Sequence, residues 1–525
     1  MKFFKNHLLL FFIFFVYLPT SYAQNSLSSG LIVQTKQGKL QGDIEDTNVF
    51  VWKAVRYAKP PIGDLRFKAP QPIENWEGVK PAIQYGLIAP QVQVNVTNSE
   101  QKTGEDCLFL NIWSTEIKNK KPVMVWIHGG GFYTGSGSSN ICNGEKLAQK
   151  GDVVVVNFNY RLGALGFLYF DEIAGANKNF DSNIGIKDQI AALKMVKENI
   201  EAFGGAPENI TLFGQSAGET SVLAVMATPS AKGLFNKVIA ESPSTRKKWT
   251  PSEATWVAKM YLARLGVSEN NLNELYKISA DTIIQVAHNL IQDYAANIPG
   301  IGTFAPTIDN LFITQLLSDS TTNQNLNVPL LIGTTKDEMN LFFKVKAMPF
   351  EISPELIDRL IPTLCIEDKN CITSAYKKYP QDKSIINIMT EGLYRMPCIQ
   401  KAEENSKNQT TYMYRFDWSS LSLDFTGYKS CHALDVFFVF NNFDTKVGKK
   451  IMVLANKRSV NIVSSTIQEA LINFAKTSNP NNVGTGTWKK YNTTERVTMI
   501  FDKKNRIALD SDSKKRLSWQ GVDVN

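Results

Sequence analysis

Histidine and cysteine are scarce in this chain, whose 525 residues include four histidines and six cysteines. No two cysteines have C-x-x-C spacing, so neither a zinc ribbon nor a thioredoxin-like motif is indicated. A strong surplus of one charge is also missing, because 57 Lys and Arg against 49 Asp and Glu leave a net charge of +8. No basic cluster interleaved with aromatic residues stands out, and nucleic-acid binding therefore has no support.

Repeats and low-complexity segments are absent as well. The 33 glycines and 21 prolines follow no period, and no linker rich in Pro, Gly or Ser divides the chain. With 43% hydrophobic and 20% charged residues, the composition is that of an ordinary globular protein and excludes disorder as the dominant state. We therefore expect one large domain over residues 24–525.

Long apolar runs are missing beyond the N-terminus. There, Lys2 and Lys5 precede an apolar run over residues 8–18, and small residues follow at 21–23. This pattern predicts a secretory signal peptide over residues 1–23, with an uncleaved N-terminal anchor as the alternative. No later stretch approaches about 18 uninterrupted apolar residues, so we expect no stable membrane anchor in the mature chain. The protein is predicted to be exported, either secreted or periplasmic.

Short β-branched apolar runs alternate with segments of helical periodicity. This alternation predicts an α/β fold with a large, mostly parallel sheet, buried on both faces by helices. The predicted strands are 123–127, 153–156, 210–213, 238–240, 328–332 and 412–416. Helices are predicted over 188–200, from Ala217 onward and over 461–474, with helical insertions above the sheet at 250–300 and 345–400.

The segment 210–218 is the most informative in the chain. An apolar strand runs into Gly214-x-Ser216-x-Gly218, and a helical stretch follows. A bare match to this pattern arises by chance in long proteins. A strand before it and a helix after it favour a nucleophile elbow, in which the serine occupies a turn so tight that only glycine fits beside it. Ser216 is thus the predicted nucleophile.

The scarcity of histidine narrows the choice of a general base. His7 leaves with the predicted signal peptide, and His128 precedes a run of glycines where main-chain donors are expected instead. His288 is predicted to be a structural residue on a helix surface. His432 follows the strand at 412–416 after a loop, where a hydrolase of this order carries its base. The elimination of the other three histidines and the position of His432 after the strand both indicate His432 as the general base.

A carboxylate is needed to orient the imidazole of such a base. Glu338 follows a predicted strand on a loop, and the order Ser216, Glu338, His432 is that of α/β-hydrolases. Spacing alone does not separate Glu338 from its neighbour Asp337. Asp435, three residues after His432, is expected to be a structural carboxylate at a helix start.

Three consecutive glycines, 129–131, follow the strand at 123–127. Glycines leave main-chain N–H groups unshielded, as an oxyanion hole requires. A phosphate-binding loop is the competing interpretation, but neither the Gly-Lys-Ser/Thr ending nor G-x-G-x-x-G spacing is present. The sequence therefore favours an oxyanion hole.

With these residues in place, the chain resembles the type-B carboxylesterases, the carboxylesterase/cholinesterase group of α/β-hydrolases. The resemblance covers most of the mature chain. Its further motifs are Tyr57-Ala-Lys-Pro-Pro-Ile-Gly63, Glu105-Asp-Cys-Leu-Phe-Leu-Asn111, Asn157-Phe-Asn-Tyr-Arg161, Asn183-Ile-Gly-Ile-Lys-Asp-Gln189, Asn199-Ile-Glu-Ala-Phe-Gly-Gly205 and Asn473-Phe-Ala-Lys-Thr477.

The resemblance implies roles that agree with the choice made from the residues. Ser216 is similar to the family's nucleophile, Glu338 to its acid and His432 to its base, which sets Asp337 aside. The family's three oxyanion donors correspond to Gly130, Gly131 and Ala217. The fold implied is the α/β-hydrolase fold.

One departure from the family lies beside the predicted nucleophile. Family members usually have Glu immediately before the serine, whereas this chain has Gln215. The substitution removes a negative charge and bears on the rate or on the preference for cationic substrates. No tryptophan lies between Ala89 and Cys107, where cholinesterases hold a quaternary ammonium group, so choline-ester specificity is not expected.

The cysteines also depart from the family. Its first disulfide would join Cys107 to position 89, which is alanine here. Cys398 lacks its family partner because no cysteine follows Cys431. Six cysteines allow fifteen connectivities, and the sequence does not choose among them. Cys365 and Cys371 are the nearest neighbours, which makes a small loop closed by them one candidate.

The predicted function is that of a secreted serine hydrolase cleaving carboxylic esters through an acyl-enzyme on Ser216. A small-molecule ester is the expected partner, and no metal or organic cofactor is required. A lipase or sterol esterase of the same family is the nearest alternative. A non-catalytic cholinesterase-like adhesion or binding protein is the alternative from another class, although such relatives typically lose a member of the catalytic set. Acyl-chain preference, alcohol preference and oligomeric state are left open.

Overall fold

The computed structural model describes residues 31–45, 47–92, 101–176, 179–244, 250–297, 303–314, 328–345 and 381–519. The predicted signal peptide and the suggested Cys365–Cys371 loop lie outside these ranges. So does the part of the predicted helical insertion at 345–400 that extends from residue 346 to residue 380.

The strands of the described ranges form two sheets. Their bounds in chain order are β1 (Ile32–Gln34), β2 (Lys39–Gln41), β3 (Asp43–Ile44), β4 (Phe50–Arg56), β5 (Val79–Pro81), β6 (Phe109–Ser114), β7 (Lys121–Ile127), β8 (Val154–Phe158), β9 (Gly205–Gln215), β10 (Lys237–Glu241), β11 (Leu330–Thr335), β12 (Thr411–Phe416), β13 (Val497–Phe501) and β14 (Arg506–Leu509).

The larger sheet has eleven strands within the described residues, in the order β14-β13-β12-β11-β10-β9-β7-β8-β6-β4-β3. All neighbours from β13 to β8 are parallel, and the pairs at both flanks are antiparallel. The carboxyl ends of β7, β9, β11 and β12 therefore meet at one edge, which is where ligands bind to open α/β sheets. At this edge Ile127 lies opposite Gly214, and Gln215 lies opposite Glu241.

Helices connect the strands. Their bounds are α1 (Glu145–Gly151), α2 (Gly163–Phe167), α3 (Ile184–Asn199), α4 (Ala217–Met226), α5 (Pro251–Leu265), α6 (Ala280–Asn297), α7 (Asn340–Lys344), α8 (Gln381–Thr390), α9 (Met396–Ser406), α10 (Leu421–Thr426), α11 (Leu434–Phe440), α12 (Lys446–Ile451), α13 (Lys457–Thr477) and α14 (Ser513–Ser518). A π-helical turn, Glu391–Arg395, joins α8 to α9.

Local sequence accounts for the bounds of α5. The Thr250 side chain accepts from the N–H of Glu253, and the Glu253 side chain accepts from the N–H of Thr250, so both ends of a capping box are present. Pro251 occupies the first helical position, where its missing N–H costs nothing. Gly266 ends the helix in the left-handed conformation with φ of 69°.

Apolar cores cover both faces of the large sheet. Along β7, Val123, Val125 and Ile127 belong to one buried cluster, whereas Met124 and Trp126 belong to the other. Successive side chains of a strand point to opposite faces, so this division places one core on each side. Helices α3 and α4 pack in the first core, and α1, α11 and α13 pack in the second.

The predicted fold class is confirmed, and each of the six predicted strands is present. The other eight described strands, β1 to β6, β13 and β14, were not predicted. Lys53 and Asn111 interrupt the apolar runs of β4 and β6, which lie in the antiparallel flank of the sheet. The predicted helices correspond to α3, α4 and α13, and the segment 250–297 carries α5 and α6 as expected. Among the described residues, no helix combines the length and apolarity that crossing a membrane requires.

Candidate active site

Ser216 lies at the sharp turn between β9 and α4. Its backbone has φ of 59° and ψ of −124°, a conformation that is costly for a residue with a side chain. Its N–H donates to the carbonyl oxygen of Glu241 at 3.0 Å, which ties the turn to the end of β10. Strain of this kind is typical of a serine held out at the edge of a sheet.

The two glycines of the motif are required by close contacts. A Cβ on Gly214 would lie 2.7 Å from the carbonyl carbon of Gly218, and a Cβ on Gly218 would overlap the carbonyl oxygen of Ile127. The turn therefore packs against its own helix and against the end of β7. Any larger residue at either position would push α4 away from the sheet.

Glu338 and His432 are brought together at the ends of β11 and β12. The Nδ1 of His432 lies 2.5 Å from Oε2 of Glu338. The other carboxylate oxygen accepts from the Ser242 hydroxyl and from the N–H of Thr335, both at 2.7 Å. Glu338 is fully buried with these three donors around it, so its orientation is determined.

Main-chain hydrogen bonds hold the two loops in register. The N–H of His432 donates to the carbonyl oxygen of Glu338 at 3.3 Å, and that of Asp337 donates to the carbonyl oxygen of Ser430 at 2.9 Å. Asp337 is half-buried, and burial raises its pKa. The imidazole contacts Glu338 and not Asp337. The structure thus separates two neighbouring carboxyl groups that sequence spacing alone did not distinguish.

The other side of the imidazole faces Gln215, the residue before Ser216. The amide Nε2 of Gln215 lies 3.0 Å from Nε2 of His432. The rings of Phe342 and Tyr394 flank the imidazole, with centroid distances of 5.1 and 5.0 Å. The sequence singled out Gln215 as a departure from the family, but nothing in the pattern indicated this contact or the two aromatic rings.

The glycine loop lies directly beside the turn. A Cβ on Gly129 would be 2.7 Å from the carbonyl oxygen of Gln215 and 3.2 Å from Cβ of Ser216. Gly130 and Gly131 have φ values of 108° and 63°, which favour glycine. Across the described part of the chain, no loop or turn hydrogen bond is donated by the N–H of Gly130, Gly131 or Ala217. These N–H groups are available to a ligand.

His128 packs beside the glycine loop, away from the contact between Glu338 and His432. Its ring stacks on Tyr160 at 4.4 Å, and the Tyr160 hydroxyl donates to the His128 carbonyl oxygen at 2.8 Å. Its Nδ1 lies 2.8 Å from the carbonyl oxygen of Gly129, so Nδ1 carries the hydrogen. Burial lowers the pKa of His128 to about 4, which keeps the ring neutral at physiological pH.

Three further carboxyl groups are fully buried near this edge of the sheet: Glu219, Glu241 and Asp435. Burial raises the pKa of Glu219 to about 8, against the opposing charge of Lys401. Burial and the neighbouring Asp435 raise the pKa of Glu241. Burial and Glu338 raise the pKa of Asp435 to about 7. As expected, Asp435 lies in the first turn of a helix, α11.

Within the described ranges there is neither a cluster of metal ligands nor a disulfide bond. No group of three or more His, Cys, Asp or Glu side chains there is arranged to hold a metal ion. Cys107, Cys142, Cys398 and Cys431 are buried and unpaired, in agreement with the missing family partners of Cys107 and Cys398.

Known proteins similar to this chain are esterases. The model of the carboxylesterase family matches residues 29–519. A para-nitrobenzyl esterase of Bacillus subtilis is 39% identical over 492 residues, covering 92% of this chain and 97% of that protein. A phenmedipham hydrolase of Pseudarthrobacter oxydans is 30% identical over 498 residues, covering 91% and 97%.

Solved structures give the same result. A para-nitrobenzyl esterase superposes with a TM-score of 0.83 at 38% identity, covering 93% of this chain and 99% of that one. A Geobacillus stearothermophilus carboxylesterase superposes with a TM-score of 0.83 at 32% identity, covering 93% and 100%. The chain therefore belongs to the carboxylesterase family and is a carboxylic ester hydrolase of the α/β-hydrolase fold.

Proposed function

We propose that this carboxylesterase cleaves small esters through an acyl-enzyme on Ser216, with His432 as general base and Glu338 as the orienting acid. The contact between His432 Nδ1 and Glu338 Oε2, at 2.5 Å, is the observation that carries the proposal. A neutral ring that donates from Nδ1 to this carboxylate has Nε2, the nitrogen on the side of Gln215, as its basic atom.

In the acylation step, Ser216 Oγ attacks the ester carbonyl carbon while its proton passes to Nε2 of His432. The carbonyl oxygen becomes an oxyanion, and the N–H groups of Gly130, Gly131 and Ala217 donate to it. Each such donor is worth about 3 to 4 kcal/mol in acyl transfer. The intermediate collapses when His432 returns the proton to the leaving alcohol, and the acyl group remains on Ser216.

In the deacylation step, water attacks the acyl carbon while His432 removes its proton. The same three N–H groups stabilise the second oxyanion. Collapse releases the carboxylic acid, and the proton on His432 returns to Ser216 Oγ. Glu338 stabilises the charged imidazole in both halves of the reaction without taking its proton. No metal or organic cofactor takes part in this scheme.

A p-nitrophenyl ester series from acetate to palmitate tests the proposal, with Ser216→Ala as the matched variant. Hydrolysis by the parent enzyme that is abolished in Ser216→Ala supports the serine mechanism. Because similar proteins are named for para-nitrobenzyl esters and phenmedipham, a para-nitrobenzyl ester and phenmedipham belong in the same panel. Hydrolysis that persists in Ser216→Ala would contradict the proposal.

The same series separates the alternatives. A short-chain optimum supports an esterase, whereas a rate that rises sharply above the concentration at which the substrate forms micelles indicates a lipase or sterol esterase. If the folded enzyme turned over no ester in the panel, the non-catalytic binding function would become the better interpretation of this chain.

We also propose that the protein is exported after cleavage of residues 1–23. The charged start, the apolar run over residues 8–18 and the small residues before Gln24 support this. N-terminal sequencing of the protein recovered from the medium or periplasm should begin at Gln24. Recovery of the chain with residues 1–23 attached would indicate an uncleaved anchor instead.

A further inference from the structure

Gln215 makes a contact that the proposed mechanism does not use. Its side chain is buried, and its amide nitrogen lies 3.0 Å from Nε2 of His432 and 3.5 Å from Nδ1. Within the described residues, no hydrogen bond joins His432 to the hydroxyl of Ser216. The amide of Gln215 is therefore the hydrogen-bond partner of the nitrogen that Ser216 needs.

The direction of this hydrogen bond follows from the other side of the ring. Nδ1 faces the carboxylate of Glu338, which accepts, so Nδ1 carries the hydrogen of the neutral imidazole. Nε2 then presents a lone pair, and only a donor forms a hydrogen bond with it. The carboxamide of Gln215 has two N–H groups, whereas the ionised carboxylate that the family usually places here has none.

The imidazole has little freedom to leave this contact. The rings of Phe342 and Tyr394 lie against it, and Glu338 holds both its Nδ1 and the N–H of His432. The main chain of Gln215 is also held, because it pairs with Glu241 in the sheet. Only rotation of the Gln215 side chain opens the contact without breaking the surrounding structure.

The electrostatic surroundings favour a neutral residue at this position. Four carboxyl groups are already fully buried near the carboxyl ends of the strands: Glu219, Glu241, Glu338 and Asp435. Burial raises the pKa values of Glu219 and Glu241, so the neutral form of a carboxyl group is favoured at these two buried positions. A glutamine fills the site without adding a charge.

We propose that Gln215 is a positioning residue that occupies Nε2 of His432 in the resting enzyme and releases it when an ester binds. The inference rests on the proposed function, since it takes Ser216 as nucleophile and His432 as base. The resting Ser216 hydroxyl is then not activated. Rotation of the Gln215 amide away from the ring precedes transfer of the Ser216 proton to Nε2.

Nitrogen NMR of the histidine rings tests the contact without any need for turnover. The chain has only four histidines, so 15N-histidine labelling gives few signals, and His432→Gln identifies the relevant one. With the ring neutral, an unprotonated nitrogen that accepts a hydrogen bond resonates at lower frequency than a free one. We expect the Nε2 signal to be the same in Ser216→Ala as in the parent enzyme, and to move to higher frequency when Gln215→Met is added to Ser216→Ala, because neither donor is then present. The opposite pattern would overturn the proposal.

Kinetics test the consequence. Gln215→Met keeps the length of the side chain but has no donor, so Nε2 is free for Ser216 from the start. We expect kcat/KM for p-nitrophenyl acetate to rise about twofold to tenfold, the factor that corresponds to one hydrogen bond. The rate at which diisopropyl fluorophosphate modifies Ser216 should rise by a similar factor. An unchanged or lower value of both rates would reject a releasable role.

The two proposals fail in different ways. Persistent turnover in Ser216→Ala rejects the proposed serine mechanism, while the NMR measurement still reports on the contact between Gln215 and His432. Loss of turnover in Ser216→Ala, together with an Nε2 signal that does not change when Gln215→Met is added to Ser216→Ala, rejects the role of Gln215 and leaves the serine mechanism intact.

Discussion

Six of the buried acids that the structure describes fall into two groups that differ in their partners. Asp188, Asp512 and Glu338 each face several donors or cations. Glu219 and Glu241 have no hydrogen-bond partner on either oxygen within the described residues, and Asp435 has one only on Oδ2, from the Tyr414 hydroxyl. All six side chains are buried, so the difference is one of pairing and not of exposure.

The difference is clearest in the pKa values of Asp512 and Glu219. Although burial opposes it, Arg395 and Arg415 lower the pKa of Asp512 to about 2, so this acid is ionised throughout the physiological range. At Glu219, burial outweighs the opposing charge of Lys401 and raises the pKa to about 8, so that acid is neutral at neutral pH. Asp512 is therefore a fixed charge in the physiological range, whereas Glu219 is a neutral group that titrates within it.

The largest effect should come from Glu338, the paired acid of the candidate active site, when its carboxyl group is replaced by an amide. In Glu338→Gln, the oxygen retained at Oε1 still accepts from Ser242 and Thr335, and the new NH₂ faces Nδ1 of His432. The ring must then carry its hydrogen on Nε2 and ceases to be a base. We expect kcat to fall about 10⁴-fold in ester hydrolysis assays.

Asp337→Asn is the matched control for that variant, since Asp337 adjoins Glu338 but does not meet the imidazole. It should stay within a few-fold of the parent enzyme. Equal losses in the two variants would contradict the assignment of the acid.

The next largest effect should come from removing the partner of a paired acid that lies outside the candidate active site. Arg161 donates to Asp188 from Nε at 2.8 Å and from a terminal nitrogen at 2.6 Å, and both side chains are buried. Arg161→Met leaves the carboxylate buried and unpaired, which should cost about 3 to 5 kcal/mol of unfolding free energy in urea denaturation.

Arg264→Met is the matched control, because its ion pair with Asp293 is solvent-exposed and should be worth at most about 1 kcal/mol. If the two variants were equally stable, the distinction between buried and exposed pairs would not hold in this protein.

An intermediate effect should come from an unpaired acid. Glu219 keeps its proton in the folded state up to about pH 8, whereas an unfolded glutamate loses it near its ordinary pKa of 4.5. Between these values the folded state binds one more proton, so stability falls as pH rises. Between about pH 5 and pH 8, Glu219→Gln should reduce the decline of the unfolding free energy by up to about 1.4 kcal/mol per pH unit.

Unfolding free energies measured across this range test the prediction. Glu198→Gln, at a half-exposed position that pairs loosely with Lys36 at 3.9 Å, should leave the pH slope unchanged. A slope in Glu219→Gln equal to that of the parent enzyme would mean that Glu219 is ionised in the folded state.

The smallest effect should come from Asp435, which lies three residues after His432. Burial and Glu338 raise its pKa to about 7, so it is mostly protonated at pH 6 and resembles an asparagine there. Asp435→Asn should therefore keep kcat within about threefold of the parent value at that pH. A loss as large as that of Glu338→Gln would make Asp435 a participant in the reaction.

The positions of the site residues illustrate what sequence reasoning reaches. Ser216 carries a local signal, since a strand, two glycines and a helix within ten residues specify its turn. His432 was predicted by elimination, because the chain has only four histidines. Asp337 and Glu338 have the same local sequence environment, and their difference appears only when β11 and β12 set the two loops side by side.

By itself, the sequence determined the class of fold, the central strands, the turn at Ser216 and the chain order of the predicted nucleophile, acid and base. These depend on local periodicity, on glycine where no Cβ fits and on the small number of histidines. The tertiary structure alone decided which carboxyl groups have donors, and it placed the Gln215 amide against His432. Pairing of buried polar groups depends on contacts between residues that are distant in sequence. Arg161 and Asp188 are 27 positions apart and Glu338 and His432 are 94 apart, and no local pattern encodes such contacts.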